Sequence, residues 1–128
     1  MREAFDFLNG KVYYLATVEN GHARVRPFGT VDYFEDKLYI QTGKAKDVYK
    51  QLTENPYAEV CAFDKGKWIR VSGKMIPDDR VIAKKHMLDK YPDLRDRYDE
   101  NDTNTIVLYF ENPKAYIYSF TEAPRELK

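Results

Sequence analysis

The feature that most constrains this chain is a succession of β-forming runs joined by turns too short to hold a crossover helix. Val12–Val18 reads Val-Tyr-Tyr-Leu-Ala-Thr-Val, rich in β-branched and aromatic residues and apolar on both alternating sets. Asn20-Gly21 follows, and an Asn-Gly pair between two such runs specifies a type I′ hairpin, which needs positive φ at both central residues. The next run, Ala23–Phe34, carries Arg24, Arg26 and Phe28 on one face and is interrupted by Pro27 and Gly29. Pro27 has no N–H to give a ladder, so a bend or bulge is predicted there. Glu35-Asp36-Lys37 turns into a strand over Leu38–Gln41, Glu59–Phe63 and Lys67–Met75 form a hairpin across Asp64-Lys65-Gly66, and Thr105–Phe110 and Ala115–Phe120 read as two strands separated by Glu111-Asn112-Pro113. Strands connected so tightly pair antiparallel, because a parallel neighbour needs a connection of a dozen residues or more.

Helical spacing occurs in three places. Glu3–Leu8 sets Ala4, Phe5 and Leu8 on one face and stops at Asn9-Gly10, which predicts a short helix packed as a lid. Ala45, Val48, Tyr49 and Leu52 make a second stripe that ends at Asn55-Pro56. Pro77-Asp78-Asp79 resembles a helix start with acids in the first turn, and Ala83, Met87 and Tyr91 continue its face to Pro92. Asp93–Asp102 reads as a solvated acidic loop and Glu122–Lys128 as a charged tail. The fold class is therefore mainly β with flanking helices, an antiparallel barrel of about seven strands. No repeat, linker or low-complexity tract divides residues 1–128, so a single domain is expected.

Composition narrows the function. Among 128 residues, 21 Lys and Arg balance 21 Asp and Glu, which argues against a nucleic-acid-coating protein. Cys61 is the only cysteine, so neither an internal disulfide nor a cysteine zinc site can form, and no apolar run approaches a signal peptide or a membrane span. A cytoplasmic protein with no membrane or nucleic-acid partner is expected. The 11 Tyr, 7 Phe and 1 Trp supply amphipathic ring surface of the kind found at subunit interfaces.

The candidate chemistry is cationic. Arg24 and Arg26, two apart on a strand, project from one face and can grip one phosphate or carboxylate, although the pair alone reads equally as a solvated strand face. Thr42, Gly43, Lys44 and Lys46 sit where a strand passes into a helix, whose first N–H groups are free for an anion. Cations there oppose the helix dipole and call for an explanation. Trp68, Arg70 and Ser72 share one face of a strand, either as the wall of a ligand pocket or subunit seam or as an ordinary rim Trp stacked under an Arg. His22 and His86 have no partners at metal-ligand spacing and read as a turn residue and a helix-surface residue. No metal site, nucleophile triad or phosphate-loop motif is present, and no catalytic residue is assigned.

Taken in order, Arg24-Val-Arg-Pro-Phe-Gly29 after the Asn-Gly hairpin, Thr42-Gly-Lys-Ala-Lys-Asp-Val-Tyr-Lys-Gln-Leu52, Asn55-Pro56 and Trp68-Ile-Arg-Val-Ser-Gly73 resemble the pyridoxamine 5'-phosphate oxidase-like family of FMN-binding split barrels. The resemblance runs from Val12 to Phe120. It implies a six-stranded split β-barrel, a homodimer, and FMN in clefts at the subunit interface. It further implies that Arg24, Val25, Arg26, Pro27 and Phe28 run along the flavin, that Gln41 and Thr42 lie near its ring or ribityl chain, that Lys46, with Lys44 assisting, holds the phosphate, and that Trp68 and Arg70 approach the cofactor. The implied activity is a flavin-dependent oxidoreductase acting on a small molecule, with a non-enzymatic flavin store or sensor as the alternative. Glu122–Lys128 lacks the substrate-contacting Arg and His pattern of the true oxidase, so pyridoxamine phosphate is not the expected substrate.

Overall fold

The computed structural model describes all 128 residues. Its elements are α1 (Arg2–Leu8), β1 (Tyr13–Glu19), β2 (His22–Phe28), β3 (Asp32–Phe34), β4 (Lys37–Gly43), α2 (Asp47–Glu54), β5 (Tyr57–Asp64), β6 (Lys67–Asp78), α3 (Val81–Lys90), a 3-10 helix (Pro92–Asp96), β7 (Thr105–Ser119) and β8 (Arg125–Leu127). The eight strands form one antiparallel sheet in the order β2-β1-β5-β6-β7-β4-β3, with β8 added on β7. The sheet curls without joining its two ends, which is a split barrel with helices at its flanks.

Local chemistry explains the turns. Asn20 and Gly21 have φ of 51° and 78°, Glu35 and Asp36 51° and 60°, and Lys65 and Gly66 52° and 81°. All three are two-residue hairpins with both central residues left-handed, the geometry that matches strand twist. Glu35 has no side-chain reason to adopt this conformation, but its carboxylate is held by Arg80 Nη2 at 2.5 Å.

Several boundaries differ from the sequence reading. Ala23–Phe34 is two strands, broken at Gly29-Thr30-Val31 just beyond Pro27. Pro77 does not open a helix. It ends β6 opposite Leu108, where β5 has already stopped and no neighbour asks for its N–H. Glu111-Asn112-Pro113 does not interrupt the sheet: β7 runs through as one strand, and the register shift against Ser72 and Lys74 places the extra residue opposite Gly73, with Asn112 at φ 49°. A Cβ on Gly73 would lie 3.1 Å from the Glu111 carbonyl oxygen, so this bulge needs a glycine partner. The charged tail is also structured, because β8 pairs with β7, buries Leu127 and links Arg125 to Glu3 at 2.7 Å.

The main core lies inside the curl, where Leu15, Leu38, Ile40, Val60, Ile69, Val71, Ile106 and Leu108 meet Ala4, Phe5 and Leu8 of α1 and Val48 and Leu52 of α2. A smaller cluster of Ala83 and Met87 packs α3 on Tyr39 and Val107. Strand β4 is covered on both sides, as its nearly unbroken burial records. The outer face of β1, β2, β5, β6 and β7 is uncovered and mixes exposed apolar side chains with charged ones: Val25, Phe63 and Phe120 are 68%, 61% and 78% exposed, with Tyr14, Tyr57 and Val12, beside Glu59, Arg70 and Lys114. Trp68 stacks on Tyr118 there with ring centroids 5.5 Å apart. No helix is long and apolar enough to cross a membrane.

Candidate functional site

A cavity of about 880 Å³ opens between the edge strand β2, the end of β4 and the start of α2. Arg24, Val25, Arg26, Pro27 and Phe28 line it from β2, Gln41 and Thr42 from β4, and Lys46 from the N-terminus of α2. Strand pairing accounts for this convergence. Leu15 opposite Arg26 and Thr17 opposite Arg24 place both arginines above β1, and α2 crosses the same strand.

The two arginines are held differently. Arg24 Nε donates to Glu19 Oε1 at 3.0 Å, so its charge is compensated. Arg26 has only neutral acceptors: the Leu15 carbonyl at 3.1 Å, Thr17 Oγ1 at 2.9 Å and the side-chain oxygen of Gln51. Burial lowers the pKa of this guanidinium, the nearby Asp47 and Glu19 carboxylates pull it the other way, and neither of them bonds it directly. Thr17 in turn donates to Gln51 Oε1, so Thr17 and Gln51 brace Arg26 from below.

The walls carry unspent hydrogen-bonding capacity. Gln41, Thr42 and Gln51 are each about 95% buried and line the cavity. The Gln51 amide nitrogen, the Thr42 hydroxyl and Gln41 Oε1 have no partner in the protein, although no fully enclosed side-chain polar atom is left unpaired. These groups therefore keep their free valences for whatever enters the cavity. Lys46 caps α2 without a side-chain hydrogen bond or ion pair, and the N–H groups of Asp47 and Val48 are the unsatisfied first donors of the helix. The Arg26 guanidinium, the Lys46 ammonium and a helix N-terminus in one cavity are the donors an anion would use, beside the Glu19 and Asp47 carboxylates that also line it.

Other predicted residues lie elsewhere. Lys44 does not line the cavity; its ammonium meets Asp79 at 2.8 Å, which raises its pKa, and Asp79 is clamped from the other side by the buried Lys84 at 2.8 Å. Ala45, the first residue of the stripe predicted for α2, is exposed in the preceding turn, and Gln51 is buried in place of Tyr49. Trp68 and Arg70 are on the outer face, away from this cavity; Arg70 pairs with Glu59 at 2.6 Å. His86 is on α3, where Nδ1 lies 2.6 Å from the buried Asp32 carboxylate.

Sequence reasoning passes over Thr17, Gln51 and the wall formed by Leu94, Arg97 and Tyr98. Gln51 sits three residues after Val48 on the buried side of α2, a position readable from the helix period. The other wall comes from the segment that reads as a solvated loop. It is anchored by Tyr91, whose hydroxyl bonds the Val31 N–H and carbonyl at 3.0 Å, and it brings Leu94, Arg97 and Tyr98 to the cavity.

A profile of the pyridoxamine 5'-phosphate oxidase family matches residues 2–109. The chain belongs to that family. A NimC/NimA family protein from Clostridium acetobutylicum is 38% identical, with a TM-score of 0.93 over 99% of this chain and 90% of that one. General Stress Protein 26 from Bacillus anthracis, at 19% identity, superposes with a TM-score of 0.73 over 98% of each chain. A pyridoxamine 5'-phosphate oxidase-related, FMN binding protein from Nostoc punctiforme, at 16% identity, covers 98% of this chain and 90% of its own with a TM-score of 0.63. No curated protein matches. In this pyridoxamine 5'-phosphate oxidase family member the Arg-Pro-Phe strand and the Lys-led helix, distant in sequence, face each other across the cavity.

Proposed function

We propose that this chain binds FMN in the β2–β4–α2 cavity and works as a flavin-dependent oxidoreductase on a small molecule. One observation carries the reading: Arg26 keeps a partly buried charge with only neutral partners, beside Lys46 and the free N–H groups of Asp47 and Val48. A phosphate monoester brings anionic oxygens that bond Arg26 directly, where Asp47 and Glu19 act only from a distance, and it accepts from all of these donors. Gln41, Thr42 and Gln51 then offer an acceptor, a hydroxyl and an amide to the polar parts of the remaining molecule. The cavity volume falls in the range of small-molecule and cofactor sites.

When bound, flavin supplies reversible two-electron transfer, so the protein needs to bind and orient it rather than provide a strong acid or base. Arg26, braced by Thr17 and Gln51, fixes the phosphate end, and the β2 backbone from Val25 to Phe28 gives a wall for the rest. The uncovered outer face supports a homodimer, because several large apolar side chains exposed on one sheet face are the kind of surface that marks a protein contact. In that assembly Trp68 and Arg70, remote from the cavity of their own chain, would be delivered toward the cavity of the partner.

The visible spectrum of the purified protein after FMN addition and gel filtration, followed by anaerobic mixing with NADH or NADPH, tests the reading. Retained flavin bands that bleach on mixing and return with an acceptor support it. A flavin that only dithionite reduces leaves storage or sensing as the function, and a colourless protein removes flavin binding.

A further inference from the structure

Asp99–Asn104, acidic enough in sequence to look merely solvated, forms a built clasp on the turn that begins α2. Asp102 closes it: the N–H groups of Asn104 and Thr105 donate to Oδ1 at 3.0 and 2.6 Å, and the Thr105 hydroxyl and Asp99 N–H donate to Oδ2 at 3.0 and 3.1 Å. Held in this way, Asn104 turns both of its carbonyl oxygens toward the neighbouring turn. Its main-chain oxygen accepts the Lys44 N–H at 2.7 Å, and its side-chain oxygen accepts the Ala45 N–H at 3.0 Å. The side chain also lies against Gly43, where a Cβ would stand 2.7 Å from Asn104 Nδ2 and 3.2 Å from Tyr98 Cε1. Gly43 has no left-handed φ to justify a glycine, so the close approach of the clasp is what the small residue admits.

The turn so gripped is closed by the Lys46 N–H on the Gly43 oxygen at 3.0 Å and runs directly into Lys46 and the free N–H groups of Asp47 and Val48. Donors carried on one short turn serve a ligand best if the backbone that carries them is held before the ligand arrives, since ordering it afterwards subtracts from affinity. We propose that Asn104 is a positioning residue for the anion corner: by holding Lys44 and Ala45 it aims Lys46, Asp47 and Val48 at a phosphate group and sets the preference of the site for FMN over riboflavin. The proposal rests on the flavin reading above for its ligand, and on Gly43 for the space that Asn104 needs.

The test compares wild type, Asn104→Ala, Gly43→Ala and the double variant in the full chain. Dissociation constants for FMN and riboflavin are measured by flavin fluorescence, and the amide shifts of Asp47 and Val48 are followed by NMR during titration with inorganic phosphate. Asn104→Ala should weaken FMN about ten-fold, the worth of one hydrogen bond, and leave riboflavin within about two-fold. Gly43→Ala should do the same by pushing the clasp away, and the double variant should be no weaker than the weaker single one. Equal losses for FMN and riboflavin, or no loss for FMN, overturn the proposal; if Asn104→Ala does not fold, Gly43→Ala decides on the same criteria. A wild type that binds neither flavin removes the flavin reading, and the phosphate titration then decides this one. Shifts at Asp47 and Val48 that Asn104→Ala abolishes uphold it, and a wild type without such shifts overturns it.

Discussion

Lys46→Ala separates ligand binding from folding, because the ammonium of Lys46 has no polar partner in the protein. It forms no hydrogen bond and no ion pair, and it stands at the N-terminus of α2, where a cation opposes the helix dipole. Removing it should therefore not weaken the free protein. Relief of the unfavourable charge amounts to about 0.3–1 kcal/mol at an exposed site, which raises the melting temperature by no more than a few degrees, roughly, in a domain of this size. Binding should move the other way. One charge-assisted contact to a phosphate is worth about 1.5–3 kcal/mol, so FMN affinity should fall about 10- to 150-fold. Riboflavin, which offers no phosphate, should bind as before. Thermal unfolding of the ligand-free protein and fluorescence titration with both flavins at two salt concentrations read all three quantities. The variant should also show a shallower salt dependence for FMN, since one ionic contact is gone. A lowered melting temperature, or equal losses for FMN and riboflavin, would refute the placement of the phosphate beside Lys46.

Three further outcomes follow from the geometry. Phe63→Asp puts a charge in the uncovered outer face opposite Trp68; light scattering should find monomers that stay folded but hold FMN more weakly, and a persistent dimer would contradict the interface. Gly73→Ala presses a methyl group on the backbone of Glu111 and Pro113, atoms that cannot swing aside, so urea denaturation should show a loss of about 1–3 kcal/mol and an unchanged midpoint would count against the bulge. Burial pushes the Asp102 carboxyl up, but donors from Thr105, Asp99 and Asn104 outweigh it and hold the group below the ordinary aspartate value. A depressed folded pKa contributes stability that is present above the unfolded value of about 3.9 and is lost as pH falls through the lower folded one. Amide protection at Asn104 and Thr105 should thus persist at about pH 5 and disappear only below that unfolded value; loss already near neutrality would refute the clasp.

What can be read from the sequence is local. Asn20-Gly21 prescribes its own backbone angles, and the alternation of Arg24, Arg26 and Phe28 assigns them a common face whatever lies opposite, so the hairpin and the cationic strand are legible. Lys46 is legible as a helix start because a cation there needs a reason. Pro77 misleads because a proline followed by acids is also how many helices begin, and only the early end of β5 makes it acceptable in a strand. The β8 tail is hidden since Arg125 and Glu126 are exposed and a single Leu127 enters the core. The Leu94–Asn104 wall is the largest omission. Asp99 and Asp102 are spent on its own backbone and Glu100 on Arg95, and its anchors, Tyr91 on Val31 and Asn104 on Ala45, reach across some 60 positions, a distance that no residue pattern records. Lys44 and Lys46 are equivalent in sequence, yet Asp79 takes one and leaves the other free.

A crystal structure of the protein grown with FMN tests the flavin site most directly. The phosphate should lie within hydrogen-bonding distance of the Arg26 guanidinium, Lys46 Nζ and the N–H groups of Asp47 and Val48, with the rest of the molecule along Val25–Phe28. FMN bound elsewhere, or its phosphate turned to solvent while Arg26 keeps only Leu15, Thr17 and Gln51, would contradict that assignment.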